Sequence, residues 1–401
     1  MYVDSDGLLS QMRKSFSDEM EKVDSFIHQL PTCVQKADES GEIPNEIWSF
    51  APLNLLNRIN LPLEEGGLHI GATALRRTVL FEAMGRVSAG LCISLPGPGL
   101  SFPPVNALGT PEQKRIFFDH FRLQTDRPVW GAFAITEPSC GSDAVSLKTS
   151  AKQTSNGYVL NGEKCFITNG ARADVIVVFA TIDSSKGRFG IRAFLVEKGN
   201  PGFCVDRKEN MLGLRPSQLA SLSFRDCHVL SSAMLGHNGS RGPLIDAFTG
   251  AQKAWDFMRP CLSAVICGSM AQIVEDTIAD VHKDNSLLLR REKNSIISEL
   301  EILKFRIRSS WLLTLQAASV FDEGKPASLF ASMAKAQAAT IAQKVGPTLL
   351  RIYGKTGIES GSPIERFWRD SKAYDILEGT GDMQRLMIAR AWSVQHNGRV
   401  A

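Results

Sequence analysis

The chain lacks the residue patterns that announce several protein classes. None of its eight cysteines stands in a CxxC pair, which argues against a zinc ribbon or a disulfide framework and for small buried hydrophobes in a reducing compartment. The seven histidines are dispersed and no HExxH occurs, so no protein-ligated metal is expected. Charge of one sign is also missing. Forty-five basic residues face 42 acidic ones, a formal net charge of +3, far from the basic excess that nucleic-acid binding demands. No uninterrupted apolar run approaches the length of a membrane span, so no membrane insertion is expected. Residues 1–14 carry Asp4 and Asp6 and no apolar stretch, unlike a secretory signal. The expected location is therefore cytoplasmic. Internal repeats and low-complexity segments are absent.

What is present is an ordinary soluble composition, 43% hydrophobic and 22% charged over 401 residues, enough for two or three modules. Residues 1–125 read as helices. Leu8 to Leu30 shows apolar residues at helical spacing, Thr73 to Gly90 is a second helix, and Pro111 to Phe121 a third, with Thr110 as its N-cap. Residues 126–236 change to short apolar runs between turns. Tyr158 to Leu160, Asn161-Gly162 and Lys164 to Thr168 predict a hairpin closed by a type I′ turn. Val175 to Phe179, Ile191 to Val196 and Leu219 to Phe224 predict further strands, together a small β-barrel or sandwich. Residues 237–401 return to long helical stretches at 253–282, 293–323 and 327–353, interrupted by Pro260 and Pro347. Gly354 or Gly357 ends the third stretch as a cap. The order of helices, strands and helices predicts an α+β multidomain chain and disfavours a doubly wound sheet.

Three segments carry candidate chemistry. Ala132 to Asp143 joins an apolar strand to a loop of small and hydroxyl residues, where backbone N–H groups can approach a ligand. In Lys164 to Gly170, strand alternation puts Phe166 and Thr168 on one face, an aromatic to stack on a planar ring and a hydroxyl for its edge. In Tyr374 to Arg385, Glu378 follows an apolar pair and precedes Gly379. Thr380 then reads as an N-cap with Asp382 in the first turn. A carboxylate held there among apolar neighbours is desolvated, which raises its basicity. Taken singly, these segments also read as a strand-to-loop junction, core packing and a helix cap.

In this order and spacing the three segments resemble the acyl-CoA dehydrogenase family. The matching residues are Thr136-Glu137-Pro138 with Gly141-Ser142-Asp143, Phe166-Ile167-Thr168 with Asn169-Gly170, and Glu378-Gly379-Thr380 with Gln384-Arg385. Arg259-Pro260 and Arg369-Asp370 add to it, and the resemblance spans about residues 5–395. It implies an N-terminal helical domain, a central β domain and a C-terminal four-helix bundle, with FAD between the last two and a neighbouring subunit, hence a homodimer or homotetramer. It further implies cofactor contacts at Phe133, Ile135, Thr136, Ser142, Phe166, Ile167, Thr168, Arg351, Gly354, Thr380 and Asp382. Ser142, Asp256, Arg259 and Gly379 would line the thioester channel. Glu378 would remove the α-proton of an acyl thioester while the β-hydrogen leaves as hydride to flavin N5. The carbonyl would be held by the Glu378 N–H and a ribityl hydroxyl.

The departures are specific. Many relatives have Arg-x-x-Phe-Gly where this chain has roughly Lys283 to Leu287, and a glutamine with a double glycine near Arg351 to Gly357. They point to a divergent branch serving acyl-CoA or an acyl carrier protein in secondary metabolism. An electron-transfer flavoprotein or oxygen would be the electron acceptor. Arg290, Arg291, Lys293, Lys304, Arg306 and Arg308 would meet an acidic carrier, or form a solvated face with Glu292, Glu299 and Glu301. The competing expectations are a flavin monooxygenase on the same fold, which usually lacks the base, and a non-catalytic binding protein.

Overall fold

The computed structural model describes residues 17–50, 53–59, 61–68, 73–123, 126–236, 247–283 and 290–397. Among the described residues seven α-helices precede the sheet: α1 (Ser17–Gln29), α2 (Pro31–Ser40), α3 (Leu53–Arg58), α4 (Ala74–Val87), α5 (Ala89–Ser94), α6 (Phe102–Leu108) and α7 (Pro111–Arg122). The helix expected from Leu8 to Leu30 lies outside the described residues before Ser17. Within them it ends at Gln29, because Pro31 opens a helix of its own. The helix expected from Thr73 to Gly90 is divided at Ser88. Thr73 caps α4, and Ser88, in an extended conformation, caps α5 through Leu91 N–H. Thr110 heads α7 with a full capping box, Gln113 answering from three residues on.

The middle of the chain forms one curled seven-stranded sheet: β1 (Gly131–Ala134), β2 (Ser150–Gln153), β3 (Gly157–Ile167), β4 (Val175–Thr181), β5 (Ile191–Glu197), β6 (Phe203–Lys208) and β7 (Ala220–Leu230). β4 pairs in parallel with β1 and antiparallel with β5. Beyond β2 the order continues β3, β7, β6. The hairpin predicted at Asn161-Gly162 does not exist. Those residues lie inside the continuous strand β3, at a bulge in its pairing with β7. Gly162 is there for room: a Cβ would fall 2.5 Å from Thr149 Oγ1 and 2.7 Å from Thr149 Cα. The turn into β3 is instead at Thr154–Gly157, closed by a 2.9 Å bond from Thr154 N–H.

Four long helices complete the chain: α8 (Ala247–Lys283), α9 (Arg290–Asp322), α10 (Ser328–Tyr353) and, after the short α11 (Lys355–Ile358) and α12 (Pro363–Tyr374), α13 (Gly381–Asn397). α8, α9 and α10 pack on one another and α13 lies along α10. Pro260 and Pro347 sit inside α8 and α10 without ending them, and Gly354, at φ 55°, ends α10. α8 is long and apolar enough, by composition, to cross a bilayer, but 72% of that window is buried in the protein, as a core helix requires. α4 packs along it at backbone contact. A Cβ on Gly268 would stand 2.1 Å from Glu82 O, and one on Gly85 2.4 Å from Val265 O. All eight cysteines are free, and all but Cys204 are buried.

Candidate active site

The turn between α12 and α13 carries Glu378 in a left-handed conformation, φ 54°, followed by Gly379 at φ 94°. A non-glycine residue there is strained and persists only where neighbours hold it. Three helices hold this one. Arg259 on α8 donates from Nε to Glu378 O at 3.2 Å. Gln384 on α13 donates to Glu378 O and Gly379 O at 3.2 and 3.1 Å. Lys335 on α10 donates to Asp375 O and Gly379 O at 2.8 and 2.7 Å. Thr380 caps α13 through Met383 N–H at 3.3 Å.

The Glu378 residue is half-buried, but its Oε2 atom is buried and has no hydrogen-bond partner among the described residues. Burial pushes the carboxyl up to about 7, with Arg259 and Lys335 pulling the other way. The Glu378 N–H likewise has no acceptor among the described residues. Asp256 accepts from Gln252 at 3.0 Å and from Ser328, and lies 3.5 Å from Arg259 Nη1. Burial raises its carboxyl above the usual range. Asp256, Arg259, Glu378 and Gly379 therefore form one cluster.

The two loops of the sheet meet each other. Cys165 N–H donates to Thr136 O at 3.0 Å, and Lys164 Nζ reaches Ile135 O at 3.1 Å and Glu137 Oε1 at 2.8 Å. Burial pushes the Glu137 carboxyl up, but Lys164 and the N–H groups of Lys148 and Thr149 outweigh it and hold it ionised. The alternation expected of Phe166 and Thr168 is interrupted by a second bulge, between Lys164 and Ile167. Phe166 sits at φ 55° and is 56% exposed, Ile167 is buried and Thr168 half-buried. The Phe133 ring is buried against Phe179 and Trp255, and Ile135 is buried, so only their backbones are offered to a ligand. Ser142 is exposed on an open loop. Asp382 is exposed and paired with Arg385. Arg351 is paired with Glu299 on α9, and Gly354 lies at the exposed end of α10. Neither joins the cluster around Glu378.

Lys335 escaped the sequence reading, although it had a signal. It is a single cation in the small, apolar run Ala331 to Ala339, and it is fully buried. Gln384 was read only as part of a motif.

A helical module, a curled sheet with an exposed aromatic on one of its loops, and a helical bundle with a desolvated carboxylate at a strained turn define a three-module architecture. The N-terminal, middle and C-terminal domain models of the acyl-CoA dehydrogenases match residues 19–121, 132–227 and 248–393. Cyclohex-1-ene-1-carbonyl-CoA dehydrogenase of Geobacter metallireducens is 33% identical over 85% of this chain and 88% of its own. The chain superposes on butyryl-CoA dehydrogenase of Megasphaera elsdenii with TM-score 0.79 and 29% identity, over 94% of this chain and 97% of that one. It superposes on a chain of the structure of the electron transferring flavoprotein of Acidaminococcus fermentans with TM-score 0.82 and 29% identity, over 94% and 98%. The chain belongs to the acyl-CoA dehydrogenase family, and it is an oxidoreductase of that family.

Proposed function

We propose that the protein dehydrogenates an acyl-CoA thioester between Cα and Cβ, with FAD as cofactor and Glu378 as the base. The observation that carries this reading is the buried, unpartnered Oε2 of Glu378 on a turn held by Arg259, Lys335 and Gln384. The residues fit a flavin. Phe166 leaves its ring largely uncovered while its neighbours Cys165 and Ile167 are buried, and a flat apolar surface of that kind suits a planar heterocycle. Thr136 and Thr168 stand beside it as half-buried hydroxyls, and Pro138, Ser139 and residues 141–143 of the loop are exposed, a Cβ on Gly141 meeting nothing nearer than 4.0 Å. FAD, when bound, supplies the two-electron acceptor for the β-hydride.

The chain's own residues do the rest. Above about pH 7 the Glu378 carboxylate is available to take the α-proton at Oε2. The unpartnered Glu378 N–H is the donor for the thioester carbonyl, where charge develops as that proton leaves. Arg259, hydrogen-bonded to Glu378 O and close to Asp256, fixes the wall of the channel beside Gly379.

Arg351 lies roughly 24 Å along α10 from Lys335, at about 1.5 Å per residue. We therefore assign it and Gly354 to the far end of a cofactor bound by a second copy, in a homodimer or homotetramer, which light scattering on the FAD-loaded protein tests. The electron acceptor in this reading is an electron-transferring flavoprotein. Carrier-protein thioesters remain the second substrate, because Lys304, Arg306 and Arg308 are exposed beside Phe305, itself 73% exposed. The test is an anaerobic titration of the purified protein with butyryl-CoA and with the butyryl carrier-protein thioester, followed by flavin absorbance. Bleaching by the CoA thioester is expected. A protein that takes up no FAD, or whose flavin neither thioester bleaches, refutes the reading.

A further inference from the structure

Lys335 has no place in the proton transfer itself, yet it is among the largest fully buried side chains of the protein. A buried ammonium is costly unless it is paired or fully hydrogen-bonded. Among the described residues it contacts no carboxylate. Its two bonds run to backbone carbonyls on either side of Glu378, those of Asp375 and Gly379. They clamp the strained segment whose φ turns positive at Glu378 and Gly379. One turn earlier on α10, Ser332 Oγ is buried without a partner among the described residues.

We infer that Lys335 is a positioning residue: its ammonium closes the Glu378 turn from both sides and sets the orientation and charge state of the base. The inference rests on Glu378 being the base. The mechanism is electrostatic and geometric together. Two charge-assisted bonds hold a backbone conformation that would otherwise relax, and the positive charge favours the ionised form of the nearby carboxylate. Of the other charged or titratable groups, Arg259 and the Cys261 thiol of α8 face Glu378, Asp375 of the turn and Arg385 of α13 face Lys335, and Asp256 faces Arg259. Arg259 alone among them also bonds the Glu378 carbonyl. Burial brings Lys335 itself down to about 8, with Asp375 and Glu378 opposing. It is therefore mainly a cation near pH 7, where Glu378 titrates, and loses its charge as the pH rises through about 8.

The test is stopped-flow reduction of the FAD-loaded enzyme by butyryl-CoA as a function of pH, for wild type, Lys335→Met, Lys335→Gln and Glu378→Gln. Lys335→Met removes donors and charge. Its reduction rate is expected to fall roughly 10- to 100-fold through misplacement of the base, with KM changed little. The midpoint of its pH profile is expected about one pH unit or more above wild type. Lys335→Gln keeps a donor without the charge, so its rate recovers in part while its midpoint stays raised. FAD content and Tm, measured alongside, identify a variant that fails to fold. In that event the midpoint of Lys335→Gln decides. A wild-type midpoint in the folded variants overturns the inference, even if the rate is low, because a merely structural lysine slows the enzyme without moving the titration. Glu378→Gln separates the two levels: if it reduces flavin at the wild-type rate the base assignment falls, and if it is inactive while the Lys335 midpoints are unchanged only this inference falls.

Discussion

Replacing Glu378 by glutamine should make the protein more stable as it makes it less active. The carboxyl, ordinarily near 4.5, is pushed to about 7 in the folded protein by burial that outweighs Arg259 and Lys335. The folded state therefore holds this proton over a pH range in which the unfolded chain has released it. The stabilisation is complete below about 4.5 and is lost as pH rises through about 7. At pH 8 the folded protein carries a desolvated carboxylate. At about 1.4 kcal/mol per pH unit, the gap between 4.5 and about 7 amounts to about 3 kcal/mol, an upper estimate. Glutamine is neutral throughout and nearly isosteric, so Glu378→Gln removes this cost at pH 8 and changes little at pH 5. Asp370, also raised to about 7 by burial, is common to both proteins and cancels. The assay is calorimetric unfolding of the FAD-loaded, substrate-free proteins at pH 5 and pH 8 with equal FAD. The variant should gain Tm at pH 8 and match wild type at pH 5. Equal or lower Tm at pH 8 would show that Glu378 is not desolvated in the folded protein.

Three further outcomes are expected. The rate constant for flavin reduction by butyryl-CoA in wild type should rise with pH through about 7 and then level, since only the ionised Glu378 accepts the proton; a flat profile between pH 6 and 8 would refute it. Gly268→Ala puts a Cβ 2.1 Å from Glu82 O and should destabilise by about 1–3 kcal/mol or more, seen as a lower denaturation midpoint. Asp38→Ala removes one of the two carboxylates on the Arg369 guanidinium, bonded through Nη1 at 3.1 Å and Nη2 at 2.5 Å, and leaves Glu365 as its remaining counter-ion; it should cost about 1–3 kcal/mol for the buried donors left without that partner, whereas the exposed Glu112→Ala should move Tm hardly at all.

Elements with strong periodicity and cap chemistry were legible in the sequence. Thr110-Pro111, Thr73 and Thr380 each head a helix as their side chains dictate. Asn161-Gly162 misled because a turn dipeptide and a bulge share the need for glycine. What decides between them is Thr149, thirteen residues upstream of Gly162 and invisible to a local pattern. Phe166 was legible as an aromatic but not as an exposed one, since period-2 alternation assumes an unbroken ladder and the pairing slips between Lys164 and Ile167. Glu378 could be singled out from its apolar and glycine neighbours. Arg259 and Gln384 stood out only as parts of motifs and Lys335 did not stand out at all, because the three come from three helices whose mutual placement around Glu378 is a tertiary fact.

Arg369 and Asp370 both bond the 212–214 segment of the sheet module, and Arg369 reaches the N-terminal module as well. The first grips Asp38 of α2 and the Leu212 carbonyl, while the second accepts the Leu214 N–H at 2.6 Å. Between those two anchor points lies Gly213, where a Cβ would stand 2.6 Å from the Arg369 carbonyl carbon. The helix that ends four residues before Glu378 is thus moored to both other modules. Shuffling segments with a relative is constrained accordingly. A breakpoint between sheet and bundle that looks neutral along the chain would separate Asp370 from its loop. The placement of Glu378 is therefore inherited not with the C-terminal segment alone but with a discontinuous unit that includes Asp38 and residues 212–214.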